Sequence, residues 1–101
     1  MRYLNLTIGA VALLLAGAAA AKPLVGHQYE AQAKITLAEA RATAVKTRPG
    51  VIADQELEKE GGGAGLRYSF DVRSHGVTYE VGVDAKTGKV LENSNEGPHP
   101  D

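Results

Sequence analysis

Residues 66–74 and 77–84 alternate strictly between apolar and polar side chains, and a period of two predicts β-strands with one buried face. The apolar set is Leu66, Tyr68, Phe70, Val72, Val77, Tyr79, Val81 and Val83. His75-Gly76 between the two stretches predicts a two-residue type I′ turn, in which Gly76 adopts a positive φ. This turn pairs Val72 with Tyr79, because a register slip of one residue would expose every apolar side chain.

The segment before these strands, ITLAEARATAVKTRPG, has the spacing of an amphipathic helix. Thr36 and Glu39 form the pattern of a capping box at its start. Pro49 and Gly50 end it, because proline disfavours the helical conformation of the preceding residue. The apolar side is rich in alanine, so the helix is expected to lie close to the surface that it covers.

Shorter segments complete the predicted sheet. Residues 51–60 place Val51, Ala53 and Leu57 at odd positions and an acidic row at even positions, which predicts a first strand. The GGGAG stretch, 61–65, predicts a connection rather than a phosphate loop, since no lysine or hydroxyl residue follows at the required spacing. Asp84–Gly88 predicts a turn, and Val90-Leu91 a short final strand. The predicted fold is α+β, with one amphipathic helix packed on one face of a small antiparallel sheet of three to four strands.

The first 21 residues have the pattern of an export signal. Arg2 is followed by an apolar stretch, and Ala18–Ala21 provides small residues for cleavage before Lys22. The stretch is shorter than the roughly 20 residues that span a bilayer. Cleavage near Ala21 would give a periplasmic or secreted protein without a stable membrane span. The alternative is an uncleaved N-terminal anchor.

Composition narrows the possible functions. The 101-residue chain has no cysteine and a formal net charge of −1, so neither disulfides nor nucleic-acid binding is expected. The pattern divides it into the signal (1–21), a leader segment (22–34), one domain (35–92) and a polar tail predicted to be disordered (93–101). A domain this small has little room for a buried cofactor, and none is predicted.

Functional side chains are therefore expected on the sheet face opposite the helix. The candidate interaction surface is Glu56, Glu58, Arg67, Asp71, Arg73 and Glu80. The alternatives are a solvated face with cross-strand ion pairs and a polar docking surface, and an open strand edge is a further place where an extended peptide can add.

Catalysis and metal binding have little support in the sequence. Asp71 and Glu80 are predicted neighbours, but acid–base work needs a carboxylate whose pKa is raised by burial, and none is expected on an exposed face beside arginines. No serine has a positioned histidine and acid. His27, His75 and His99 are widely separated, so no metal site is predicted. The chain is predicted not to be an enzyme.

One run near the end, YEVGVDAKTGKVL, preceded by the ITLAEA helix and Pro-Gly, resembles the PepSY domain over roughly residues 35–92. The resemblance implies an α+β fold of the kind found in propeptides of thermolysin-type secreted metallopeptidases and in stand-alone exported proteins. It implies inhibition or regulation of a peptidase, with an exported peptidase or another envelope protein as partner, and no active-site residues. The alternatives are an envelope module that binds or senses a peptide, small ligand or cation, and a structural interaction domain.

Overall fold

A computed structural model describes residues 22–61 and 63–97, so the predicted export signal and His99 lie outside the described residues. Four strands form one antiparallel sheet in chain order: β1 (Val51–Lys59), β2 (Leu66–Ser74), β3 (Val77–Asp84) and β4 (Val90–Gly97). The helix α1 (Leu37–Thr47) packs on one face, and a 3-10 helix (His27–Gln32) precedes it. The predicted α+β class is confirmed. Within the described ranges, no helix is long and apolar enough to cross a bilayer.

The face of the sheet that α1 covers, called the inner face here, holds the core. Tyr68 and Phe70 stack with their ring centroids 6.3 Å apart, and both are almost completely buried. The helix contributes two alanines that are fully buried, so its backbone lies close to the strands. The core residues are Ala40, Ala44, Leu57, Leu66, Tyr68, Phe70, Val72, Val81, Val83 and Ala85.

The helix begins where the sequence predicts. The Thr36 hydroxyl accepts a hydrogen bond from the Glu39 backbone N–H at 3.1 Å, and the Glu39 carboxylate accepts one from the Thr36 N–H at 2.8 Å. This capping box satisfies two N–H groups that have no partner inside the helix. At the other end Arg48 leaves the helical conformation immediately before Pro49.

The β2–β3 hairpin has the predicted register. Val72 pairs with Tyr79 and Phe70 with Val81, and the turn residues His75 and Gly76 both have positive φ, 51° and 78°. These values are those that a type I′ turn requires.

The predicted alternation of β1 is wrong at its start. A bulge between Ile52 and Asp54 makes Ala53 an extra residue, so Ile52 rather than Val51 pairs with Val72. Ile52 packs against the core, while Val51 is 71% exposed. A bulge places two residues opposite one, which reverses the parity of the positions that precede it.

The predicted ends of the domain also need correction. The leader segment is structured: Val25 bridges to β1, and residues 27–32 form the 3-10 helix. The final strand does not stop at Leu91, because β4 continues through the polar residues 93–97, for which the sequence predicts disorder. Antiparallel pairing to β3 supplies the backbone hydrogen bonds that a polar sequence alone does not reveal.

The two remaining connections are held by a single side chain, Asp84. Its carboxylate accepts backbone hydrogen bonds from Lys86 and Thr87 inside the predicted turn, and from Ala64 in the glycine-rich connection. Gly88 completes the turn with φ of +82°. Burial raises the pKa of Asp84, but these N–H donors outweigh it and hold the pKa below its ordinary value.

Candidate functional site

The face of the sheet opposite α1, called the outer face here, is polar but not uniformly solvated. The sequence predicts an open surface, and three of its residues depart from that expectation. Arg67 is 9% exposed, Ser69 is 7% exposed, and Thr78 is fully buried. Their burial requires polar partners, because an unpaired polar group away from water is costly.

Arg67, near the start of β2, is the centre of an ion network. Its guanidinium contacts Glu80 at 3.1 Å and Glu92 at 2.6 Å, and its Nε lies 3.6 Å from the Glu58 carboxylate. Nε also donates to the Ser69 hydroxyl, which in turn donates to Glu58 at 2.7 Å. Carboxylates from β1, β3 and β4 therefore share one cation from β2.

Gly82 makes room for this network. It pairs with Ser69 on one side and Glu92 on the other, and the Arg67 guanidinium lies over it. A Cβ at this position would come within 2.8 Å of the Arg67 Cζ. A glycine inside a strand often marks such a close approach.

Beside the network lies a groove of about 380 Å³, called the carboxylate groove here. It crosses the outer face from the β1 edge to β4, and its lining includes no lysine or arginine. The lining residues are Val25, Asp54, Gln55, Glu56, Ser69, Asp71, Glu80 and Glu96. Five carboxylates line this open depression. Arg67 contacts Glu80 and Lys22 contacts Asp54, so negative charge stays in excess, which favours a cationic group as the occupant.

The pKa values of two carboxyl groups in the groove, Glu56 and Glu80, are raised. Burial, and then the neighbouring Glu92, raises the pKa of Glu80, although Arg67 opposes the change. Burial also raises the pKa of Glu56, followed by the proximity of Glu58 and Asp71. Glu92 behaves oppositely, since hydrogen bonds from Ser94 and Arg67 lower its pKa. The sequence-based expectation that burial would be missing on this face is therefore wrong for Glu80.

The structure brings most of the predicted interaction surface together. Glu56, Asp71 and Glu80 line the groove, while Glu58 and Arg67 belong to the adjoining network. Asp71 and Glu80 pair directly across β2 and β3, as expected from the hairpin register.

Arg73 is separate from the groove. It is exposed near the end of β2, and its guanidinium donates to the Thr78 hydroxyl at 3.2 Å. Thr78 is thereby satisfied although its side chain is fully buried.

Sequence reasoning missed the contribution of β4. Glu92 and Glu96 belong to a segment for which the sequence predicts mostly a disordered tail. Residues 92–96 are all polar, so no alternation of apolar and polar side chains signals a strand there. Gly82, between two valines, was the signal for a close approach.

Three carboxylates of the outer face form a cluster. Carboxylate oxygens of Glu80, Glu92 and Glu96 lie within 4.8 Å of one another, close enough to contact one cation. The Ser69 hydroxyl is engaged between Arg67 and Glu58. His27 and His75, the described histidines, belong to no such cluster.

Comparison with known proteins identifies the family. The model of the PepSY family, described as "Peptidase propeptide and YPEB domain", matches residues 34–93, more than half of the chain. No curated protein matches the chain. No solved structure matches it either. The family match agrees with the resemblance carried by the ITLAEA helix and the YEVGVDAKTGKVL strands, and the chain belongs to the PepSY family.

Proposed function

We propose that this protein is an exported, non-catalytic inhibitor or modulator of a peptidase that acts by docking on it. The observation that carries the proposal is the family match, whose description names peptidase propeptides. A propeptide acts through contact with its enzyme, so a domain of this family needs a binding surface and no catalytic group of its own.

The outer face has properties that suit this role. It combines an ion network around Arg67 with an open groove lined by carboxylates. Charged groups on such a surface speed encounter and select partners by complementary charge. The excess of carboxylates on the outer face supports this proposal.

Inhibition of secreted metallopeptidases of the thermolysin type is the direct test. The full-length sequence is expressed in an exporting host, and the purified product is titrated up to about 100 µM, the range of a weak, transient complex. We expect reversible inhibition of at least one enzyme. Mass spectrometry of the inhibitor after the assay separates inhibition from consumption as a substrate. Absence of inhibition across the panel would contradict the proposal.

A charge-reversal pair tests whether the groove takes part. Glu56→Lys places a cation in the groove, whereas Glu30→Lys makes the same change at an exposed position of the 3-10 helix. We expect about a tenfold weaker inhibition for Glu56→Lys and little change for Glu30→Lys. Equal effects of the two variants would exclude the groove from the docking surface.

A second candidate function is an envelope module that binds a cation. The proximity of the Glu80, Glu92 and Glu96 carboxylates favours it, since hard divalent cations prefer oxygen ligands. Calorimetry with calcium tests this candidate, and Glu96→Gln should reduce any heat that is observed. An unchanged titration curve for Glu96→Gln would remove the candidate.

A further inference from the structure

The two outer strands of the sheet differ in what lies beside them. The edge of β1 is closed by the chain itself, because the Val25 N–H donates to Gln55 O at 3.2 Å and the Leu57 N–H donates to Val25 O at 2.8 Å. Gly26 follows with φ of +90° and lies directly against the Leu57 carbonyl, where a Cβ would collide. Among the described residues, no strand lies beyond β4 on the other side.

The register identifies the backbone groups that β4 leaves open. In a two-residue hairpin the residues flanking the turn, Ser74 and Val77, exchange both hydrogen bonds. Continuing the alternation across β3 makes the even residues of β3 face β4, so Glu80 bonds to Ser94 and Gly82 to Glu92. The N–H and C=O groups of the residues between them, at positions 93 and 95, consequently point away from the sheet.

The same alternation agrees with the observed hydrogen bonds at the edge of β1. Extended across β2, it makes the odd residues of β1 point outward, and Gln55 and Leu57 are the residues whose backbone bonds to Val25. The assignment for Asn93 and Asn95 rests on the same geometry. Both residues are exposed.

The side chains next to this open edge include three glutamates, which favour a positively charged partner. Glu92 and Glu96 belong to β4 and Glu80 to the adjacent strand, and Arg67 is the cation that contacts two of them. On a strand added beside β4, every second side chain would lie on the outer face next to these carboxylates. Lysine or arginine at alternate positions would complement them. A second copy of β4 would instead bring glutamates against glutamates, which disfavours self-pairing.

We infer that β4 binds an extended segment of its partner by strand addition, and that the segment carries basic residues two positions apart. The inference rests on the proposed function, in which that segment belongs to the peptidase. Backbone hydrogen bonds to Asn93 and Asn95 hold the segment, and the carboxylates of Glu80, Glu92 and Glu96 select its charge.

The test uses the peptide Ac-TTKTKTT-NH2 and its glutamate counterpart Ac-TTETETT-NH2 as probes of the full chain purified after export. With most of the protein bound, we expect amide hydrogen exchange of Asn93 and Asn95 to slow about fivefold with the lysine peptide. The glutamate peptide should leave exchange unchanged. Protection that is absent, equal for both peptides or confined to β1 would overturn the inference. Sedimentation must show a monomer, since self-association through β4 would also overturn it.

A matched pair of variants isolates the backbone contribution. Asn93→Pro removes an N–H that points away from β3, so the β3–β4 ladder is retained. Asn93→Thr keeps that N–H but removes the same side chain, including its contact with Arg48. We expect the proline variant to lose at least tenfold in peptide affinity and the threonine variant to bind normally. Equal binding by both variants contradicts strand addition.

Glu96→Gln keeps the test decisive if the proline variant is unstable. Glu96 is exposed, does not contact Arg67, and lies on β4 next to the open edge. The variant should weaken binding of the lysine peptide severalfold, while the glutamate peptide should still leave amide exchange unchanged. An unaltered preference for lysine would overturn the assigned charge selection.

The inhibition assay separates this inference from the proposed function. If Asn93→Pro loses the peptide but inhibits the peptidase as the wild type does, inhibition stands and docking through β4 is wrong. If the wild type binds the lysine peptide at β4 but inhibits no peptidase, strand addition stands and the proposed function is wrong.

Discussion

The inner and outer faces of the sheet are built from the same strands but are stabilised differently. On the inner face every second residue of β2 and β3 is apolar, and the helix α1 covers that surface. On the outer face one arginine is shared among the carboxylates of Glu58, Glu80 and Glu92. Five carboxylates line the groove, where Arg67 contacts Glu80 and Lys22 contacts Asp54. The inner face is covered by α1 of the same chain, whereas the outer face keeps an excess of negative charge. An unbalanced charged surface is where an external partner is to be sought.

The largest expected effect lies on the inner face. Phe70→Ala removes a fully buried ring that stacks on Tyr68, and should lower the free energy of unfolding by about 4 kcal/mol. A loss of that size can unfold a small domain, so Phe70→Leu serves as the milder companion. Urea denaturation of both variants measures the effect. A Phe70→Ala variant as stable as the wild type would contradict the assignment of this residue to the core.

The inner face could be predicted because the residues that determine it are close together in the sequence. Alternation fixes which residues of β2 and β3 share a face, and the His75-Gly76 turn fixes their register. The capping box at Thr36 likewise depends on residues three apart. The start of β1 was mispredicted because a bulge at Ala53 is decided by packing of Ile52 against the core, which no local pattern specifies.

A second test compares Arg67 of the outer face with an exposed lysine. Arg67→Met leaves a partly buried group of carboxylates without its shared cation, and should cost about 2 kcal/mol, less than for a fully buried pair because the glutamates are about one-third exposed. Lys86→Met is the control, since its side chain is exposed, with an expected change within about 0.5 kcal/mol. Chemical denaturation at neutral pH compares them. Equal stability of the two variants would show that the network around Arg67 stabilises nothing.

Gly82 provides a third, smaller test of the same network. Alanine normally stabilises a strand relative to glycine, by roughly 0.5–1 kcal/mol. At this position the added Cβ would displace the Arg67 guanidinium, so Gly82→Ala should instead destabilise the protein by about 1 kcal/mol. Gly61→Ala is the matched control, since nothing lies within 4 Å of the point that its methyl group would occupy. Thermal unfolding distinguishes the two. A stabilised Gly82→Ala variant would contradict the close approach of Arg67.

The outer face was only partly predictable because its contacts join distant parts of the chain. The sequence identifies Glu56, Glu58, Arg67, Asp71 and Glu80 as residues of one face, and that grouping depends on period alone. It does not reveal that Arg67 is buried, because the carboxylate of Glu92 that contacts it comes from a strand with hardly any apolar residues. Polar edge strands are specified by pairing with their neighbour, and hydrophobic periodicity does not detect them.

The smallest expected effect is a pH dependence that differs in sign between two glutamates of the outer face. The pKa of Glu80 is raised in the folded protein, so its ionised form destabilises the fold, and this penalty is relieved as the pH falls from neutral toward 4.5. The pKa of Glu92 is lowered, so its contribution is stabilising above pH 4.5 and is lost as the pH falls through its folded-state pKa. Glu80→Gln should therefore be more stable than the wild type at neutral pH by less than about 1 kcal/mol, and the difference should shrink on acidification. Glu92→Gln should be less stable at neutral pH and should approach the wild type in acid. Urea denaturation between pH 7 and pH 4 measures both differences, and parallel curves for the three proteins would show that the outer-face carboxylates are not coupled to folding.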